Sequence, residues 1–273
     1  MTTEDVRNVQ LDMLNKIAEF CDRNGLRYFL SGGTLLGAIR HQGFIPWDDD
    51  IDINMPRPDC ERLMQLTQGR LDDYILAEPD TEGFSLECEY YRLYDLHTVI
   101  ENFSGGYEKK YPSYHPIFID IFPIEGLPRN KRKTALHYAK IVTLRKMQRS
   151  AGLDHMVARN FAAHIFHVVS RIPAKAVGYK RWSIMIQNAA KKYSFDDAEY
   201  IGVMTAPVHT TEERVVKKDY LEPVEVMFEG KYYHAPKNYD TYLTQLYGDY
   251  MKMPPEDKRK SHHAFNMYWR AEK

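Results

Sequence analysis

Apolar positions recur at helical spacing in the first stretch of the chain. Val6, Val9, Met13, Ile17 and Phe20 form one stripe behind an acidic start, and Asn24-Gly25 closes it, predicting a helix over residues 4–23. Leu26 to Leu30 reads as a short strand, Ser31-Gly32-Gly33 as a turn, and Thr34 to about Arg40 as a second helix. Gly43 and Pro46 break that helix. Asp50 to Met55 then alternates like a strand, which Pro56 and Pro58 stop before a short helix over Cys60–Leu66. Strand-like runs follow at Tyr74–Ala77, Phe84–Leu93 and Ile117–Phe122, the last almost wholly apolar around Asp120.

Beyond Pro128 the texture becomes helical. Residues 130–150, 158–171 and 180–192 carry helical patterns, with Pro173 and Gly178 between the last two. The tail offers a hairpin turning at Glu229-Gly230 and a helix from Tyr239 to about Tyr247. The expected organisation is a catalytic core over 1–128, a basic helical region over 129–220, and a C-terminal segment, 221–273, that returns to the active site. The expected fold class is α/β (α+β), a mixed sheet flanked by helices with a helical C-terminal half.

Composition excludes several classes. In 273 residues, 44% hydrophobic and 27% charged, nothing suggests disorder. Cys21, Cys60 and Cys88 are too widely spaced for a C-x-x-C zinc or redox pair, and they point to a reducing compartment. The acidic, polar N-terminus does not resemble a secretory signal, and no apolar run is long enough to span a bilayer, so a cytoplasmic location is expected. Net charge is −1, yet from Arg129 to Lys192 fifteen Lys and Arg face a single acid, Asp154. That segment therefore carries +14, and it is expected either to attract a phosphate-rich acceptor or to rest on an anionic membrane face. Phe161, Ile165, Val169 and Ile172 would supply an apolar stripe for the second role. Nucleic acid is not an expected partner.

The chemistry concentrates in SGGTLLGAIRHQGFIPWDDDIDI, residues 31–53. Side chains alternate along a strand that rises about 3.3 Å per residue, so Asp50 and Asp52 project from one face roughly 6.5 Å apart. Asp48 joins them if the extended conformation starts early, while Asp49 points away. Carboxylates gathered on one face repel unless a cation sits among them, and oxygen ligands without His or Cys suit Mg²⁺ or Mn²⁺. Upstream, Ser31, Gly32, Gly33 and Thr34 open a helix whose N-terminus can cradle a phosphate. Asp120, an acid inside an apolar run, fits a third element on a neighbouring strand. A phosphate cradle and a metal-binding acid set about fifteen residues apart are what phosphoryl transfer requires.

The Gly-Gly followed by Asp-x-Asp resembles the nucleotidyltransferase superfamily. The longer string LSGGTLLGAIRHQGFIPWDDDIDI resembles the LicD family, which includes fukutin and fukutin-related protein. FIDIFPIEGLP at 118–128 and FEGKYYHAPKNYDTYLTQLYGDYMKMPPEDKRKSHH at 228–263 extend the likeness over most of the chain. The resemblance implies a nucleotidyltransferase-like fold and transfer of phosphocholine from CDP-choline to a sugar hydroxyl of a surface glycan, releasing CMP. Acceptors in the family include teichoic acid and lipopolysaccharide, here expected to be lipid-linked at the inner membrane face; relatives that use CDP-ribitol show that the alcohol is not set by the core motif. On this view Asp48, Asp50, Asp52 and Asp120 are the catalytic and metal-binding set. Ser31, Gly32, Gly33, Thr34, Arg40, His41, Trp47, Arg92, His262 and His263 are candidate substrate contacts. Tyr90, Tyr91, Tyr94 and Tyr107 join Trp47 as candidates for an aromatic cage around choline. A nucleotidyl transferase of the same fold, a transferase using CDP-ribitol or CDP-glycerol, and a GT-A glycosyltransferase with its own Asp-x-Asp site are the competing activities, although the last leaves Gly32-Gly33 unexplained. A non-catalytic glycan- or lipid-binding module is disfavoured because every expected carboxylate is present.

Overall fold

The computed structural model describes residues 1–79, 81, 89–101, 114–152, 161–259 and 266–270. Its centre is a nine-stranded mixed sheet with helices around it. The chain enters through α1 (Thr3–Asn24), capped at Thr2 by a reciprocal capping box with Asp5 and ended by Gly25 in the left-handed region. Next come β1 (Phe29–Leu30), α2 (Gly32–His41), β2 (Asp52–Pro56), α3 (Arg57–Thr67), β3 (Arg70–Leu71) and β4 (Tyr74–Ala77). Two long strands follow, β5 (Tyr91–Glu101) and β6 (Tyr114–Leu127). The main path of the sheet runs β1-β2-β6-β5-β4-β3. Among the described residues β2 and β6 pair in parallel, and every other pairing is antiparallel.

Strand β6 is the axis of this arrangement, and its alternation explains why. Ile117, Ile119 and Ile121 are fully buried, whereas Phe118, Asp120 and Phe122 face the other way and are only partly covered. Ile119 and Ile121 join Ile53, Met55 and Leu93 of neighbouring strands and Met13, Leu14 and Ile17 of α1 in the main core. This places Asp120 on the face opposite the core, where it is partly buried and its ion pair with Arg92 offsets the penalty expected for an acid inside an apolar run.

After β6 the chain forms α4 (Lys131–Gly152), α5 (Phe161–Val177) and α6 (Tyr179–Ala190), with a second core around Tyr138, Ile141, Leu144, Trp182 and Ile186. Helix α5 does not stop before Pro173 as its sequence suggests. It continues to Val177, because Ala174 is wholly buried and its carbonyl accepts the Trp182 indole N–H at 3.0 Å. Packing here outweighs the hydrogen bond that proline removes. The chain then returns to the sheet, which the helical texture beyond Pro128 does not foretell. Strand β7 (Tyr200–Val203) pairs with β6 and with β8 (Val215–Val216). A short helix, α7 (Lys217–Tyr220), precedes the hairpin β9 (Pro223–Phe228) and β10 (Lys231–Pro236), which turns at Glu229-Gly230, both at positive φ. Helix α8 (Tyr239–Tyr247) follows, and β11 (Asn266–Trp269) lies along the outer half of β5.

Candidate active site

The acidic residues enter the sheet later than their alternation suggests. Strand β2 begins at Asp52, not at Asp50, and residues 48–50 form an approach loop. Ladder bonding reaches only one residue further back, where the Asp120 amide donates to the Ile51 carbonyl at 3.0 Å. Helix α1 holds the loop in place of a strand partner. The Arg7 guanidinium donates to the carbonyls of Ile45, Pro46 and Asp48, and the Gln10 amide donates to the carbonyl of Asp49.

Within the sheet, register builds an acidic row. Asp52 of β2 pairs with Asp120 of β6, and Asp120 pairs in turn with Arg92 of β5. The Arg92 Nε donates to Asp120 Oδ1 at 2.5 Å, and its guanidinium lies 3.9 Å from the centre of the Phe118 ring. Arg92 is thus engaged with the acidic row itself. The Asp52 carboxyl is held well above the usual carboxylate range. Desolvation is the largest cause, although the residue as a whole is only half-buried; Asp50, Asp120 and Asp48 add to it, and Arg92 opposes it.

Helix α2 starts against these acids. The Ser31 amide donates to the Asp52 carbonyl at 3.0 Å, and the Asp52 amide donates to the Thr34 hydroxyl at 2.9 Å, so helix and strand are latched together at their first residues. Gly32 has φ +51°, and a Cβ there would stand 3.1 Å from Asp52 Oδ2. One on Gly33 would stand 2.5 Å from Asp48 Oδ2, a clash. The two glycines are therefore what lets the helix N-terminus and the carboxylates occupy adjoining space, where the helix dipole also favours negative charge.

Among the other expected contacts, Arg40 donates to its neighbour His41 at 3.0 Å and to the Tyr250 carbonyl at 2.9 Å, tying α2 to the chain after α8. Desolvation and then Arg40 hold His41 below its ordinary pKa. Trp47 is half-buried, with the Arg259 guanidinium 5.7 Å from the centre of its ring. Of the aromatic-cage candidates, Tyr91 and Tyr94 are core residues, and Tyr90 stands with Arg92 near the acidic row. His262, His263 and Tyr107 lie outside the described residues.

Sequence reasoning does not reach the floor beneath α2. Ser31 shares a hydrogen bond with the Tyr242 hydroxyl at 3.3 Å, which in turn lies 3.5 Å from Glu213. Asn54 donates to Tyr220 at 2.8 Å and to Tyr242 at 3.4 Å. Burial pushes Glu213 up to about 8, with Tyr242 working against that shift and Glu212 adding to it. Tyr247 comes from the same helix as Tyr242. Its hydroxyl would stand 3.8 Å from a Cβ on Gly32, and its pKa is raised by desolvation and then by Asp52, Glu213, Asp48 and Asp50. The one signal for these residues is the pair of tyrosines on the helix predicted at 239–247, too common a pattern to single out unaided.

Around Asp52 three further carboxylates, Asp50, Asp120 and Asp48, are opposed by the single guanidinium of Arg92. Among the described residues, no group of three or more His, Cys, Asp or Glu side chains is placed so that it could hold a metal ion, so the expected set of Asp48, Asp50, Asp52 and Asp120 is not gathered as a metal site in this structure.

By its likeness to known proteins the chain is a phosphotransferase with a nucleotidyltransferase domain. More narrowly, the chain belongs to the LicD family. Residues 25–173 match the family described as LicD/FKTN/FKRP, nucleotidyltransferase domain. The chain is 31% identical over 274 residues to lipopolysaccharide cholinephosphotransferase LicD of Haemophilus influenzae, covering 98% of both proteins. It is 38% identical over 78 residues to human ribitol 5-phosphate transferase FKRP, covering 27% of this chain and 16% of that protein.

Proposed function

We propose that the protein transfers phosphocholine from CDP-choline to a sugar hydroxyl of a cell-surface glycan, such as lipopolysaccharide or teichoic acid. The observation that carries this reading is end-to-end similarity to a lipopolysaccharide cholinephosphotransferase, joined to glycines that make room for Asp48 and Asp52 at a helix N-terminus. The N-terminus of α2 would receive the donor diphosphate, while Ser31 and Thr34, whose buried hydroxyls engage Tyr242 and the Asp52 amide, fix the helix start in place. The acceptor oxygen attacks the phosphorus bearing choline and forms a new P–O bond. The bond from that phosphorus to the oxygen of the CMP phosphate breaks, and CMP leaves with the electron pair. The acceptor proton passes to a carboxylate, Asp48 or Asp120. Asp48, Asp50, Asp52 and Asp120 are the residues that would hold Mg²⁺ or Mn²⁺. Such an ion would neutralise charge on the donor phosphates and on departing CMP. Asp120 is paired with Arg92 in this structure, so it would have to give up that partner to hold an ion.

The local match to a ribitol 5-phosphate transferase favours a second reading, with CDP-ribitol as donor. Asp50→Asn tests the acidic site common to both. Turnover, read as CMP release in the presence of Mg²⁺, should fall at least ~1000-fold, while thermal unfolding stays cooperative. Retained turnover removes Asp50 from the machinery, and pyrophosphate in place of CMP as product removes the transfer reading.

A further inference from the structure

Helix α8 brings two tyrosines to the start of α2, and the protein uses them differently. Tyr242 is 2% exposed, and its hydroxyl is spent inside the protein on Ser31, Asn54 and Glu213. Tyr247, the last residue of the helix, is 38% exposed, and among the described residues its hydroxyl has no hydrogen-bond partner. Its phenol proton is therefore free for solvent or a ligand.

The place of that hydroxyl is closely defined. It would lie 3.8 Å from a Cβ on Gly32, the residue that opens α2, and the same Cβ would stand 3.1 Å from Asp52 Oδ2. Helix start, acidic row and phenol thus meet at one glycine. The Tyr247 ring stands edge-on to the His209 ring, with centres 5.4 Å apart. Ahead of it, Tyr242 ties α8 to Ser31 at the beginning of α2. Beyond it, the Tyr250 carbonyl accepts from Arg40 in the last turn of α2. The segment that carries Tyr247 is fastened to both ends of the helix it faces, so its hydroxyl needs little reordering to meet a ligand.

Other donors around the start of α2 are engaged. The hydroxyls of Ser31 and Thr34 are occupied by Tyr242 and the Asp52 amide, and Arg92 is paired with Asp120. An anion arriving at the N-terminus of α2 would meet backbone amides and the Tyr247 hydroxyl. Desolvation, then Asp52, Glu213, Asp48 and Asp50, oppose ionisation of the phenol, so it remains a donor.

We infer that the Tyr247 hydroxyl donates a hydrogen bond to a phosphate oxygen of a nucleoside-diphosphate donor seated at the start of α2, and is thereby a further catalytic residue of the transfer. The inference rests on the phosphotransfer reading above and deepens it. The phenol keeps its proton throughout. Negative charge gathers on the phosphate oxygens as the bond to the departing nucleotide lengthens. A donor aimed at that charge lowers the barrier more than it tightens binding.

Tyr247→Phe removes the oxygen and keeps the ring that packs on His209, and Tyr242→Phe is the structural comparison. With Mg²⁺ present, the measurements are calorimetric affinity for CDP, the thermal midpoint, and CMP release from CDP-choline with lipopolysaccharide or teichoic acid as acceptor. Tyr247→Phe should weaken CDP binding ~10-fold and lower kcat on the order of 100-fold. Its thermal midpoint should stay at the wild-type value, because no internal hydrogen bond is lost, whereas Tyr242→Phe should lower it. Wild-type CDP affinity together with wild-type kcat in Tyr247→Phe overturns the inference, as does a midpoint that falls as far as that of Tyr242→Phe. If Tyr247→Phe weakens CDP binding but the wild type transfers phosphocholine to neither acceptor, the transfer reading fails and the phosphate contact stands. Phosphocholine transfer by the wild type, matched by an equally active Tyr247→Phe, does the reverse.

Discussion

Glu213 shows how a single carboxyl can carry a pH dependence. Its pKa is raised to about 8 by burial, so the folded protein holds a proton that the unfolded chain releases near the ordinary value of 4.5. The folded state therefore binds more protons between those values. Stability is greatest below about 4.5 as far as this group is concerned, and it declines as pH rises through about 8. Glu213→Gln should flatten that decline, by on the order of 3 kcal/mol between about pH 5 and 9. Denaturant titrations across that range measure it, and parallel slopes for wild type and variant would show that Glu213 is already ionised in the fold. Glu213 is invisible in the sequence because its burial depends on Tyr242, remote along the chain. Gln10 is nearer to legible. It sits one helical turn from Val6 and from Met13, a polar intruder in the stripe that predicts α1, and such intruders are where buried hydrogen bonds should be sought.

At the level of elements, one ion pair joins the two cores. Arg57 at the start of α3 pairs with Glu125 of β6, and its guanidinium also reaches Tyr91 of β5 at 3.2 Å and Gln187 of α6 at 3.4 Å. Both charged partners are almost fully buried, so removing one leaves the other charged and unpaired. Arg57→Ala should cost about 3–5 kcal/mol in chemical unfolding, whereas breaking a surface pair such as Lys191–Glu61 should cost less than about 1 kcal/mol. Equal losses would refute the distinction. Local pattern is a good guide wherever an element makes its own signal. The α1 stripe, the run at Tyr74–Ala77, the Glu229-Gly230 turn and the helix from Tyr239 to Tyr247 all stand where expected. It fails where an element exists through its partners. Strands β3 and β8 have two residues each, and β11 is ordered against β5 from far along the chain. The carboxylates, glycines and hydroxyls of the site are legible because they cluster in residues 31–53 and on one apolar strand. The residues beneath them, Glu213, Tyr220 and Tyr242, all follow Pro207 and reach Ser31 and Asn54 only once the sheet has closed.

At the scale of the whole molecule, charge and exposed hydrocarbon fall on the same helices. Ile165, Val168, Val169 and Ile172 of α5 are all exposed, at a spacing that makes one stripe, while Ser170 and Ala174 on the other side are buried. Leu136 of α4 and Ile184 and Met185 of α6 add exposed apolar surface. The segment that carries them has fifteen basic residues and one acid. No helix among the described residues is long and apolar enough to cross a membrane. The arrangement suits a face that rests on an anionic bilayer, where a lipid-linked acceptor would be met. Binding to vesicles with about a quarter anionic lipid should weaken at least ~10-fold between low and physiological salt, and Val169→Asp with Ile172→Asp should abolish it. Salt-independent binding, or no binding at all, removes the membrane role.

The stretch from Phe44 to Asp48, which leads into the approach loop, is pinned from two distant parts of the chain. Arg7 grips the carbonyls of Ile45, Pro46 and Asp48, and Glu229, at the tip of the β9–β10 hairpin, accepts from the Phe44 amide at 2.9 Å. A ribosome therefore supplies the second clasp long after the first. A chain that ended before the hairpin would lack the Glu229 hold on the Phe44 amide.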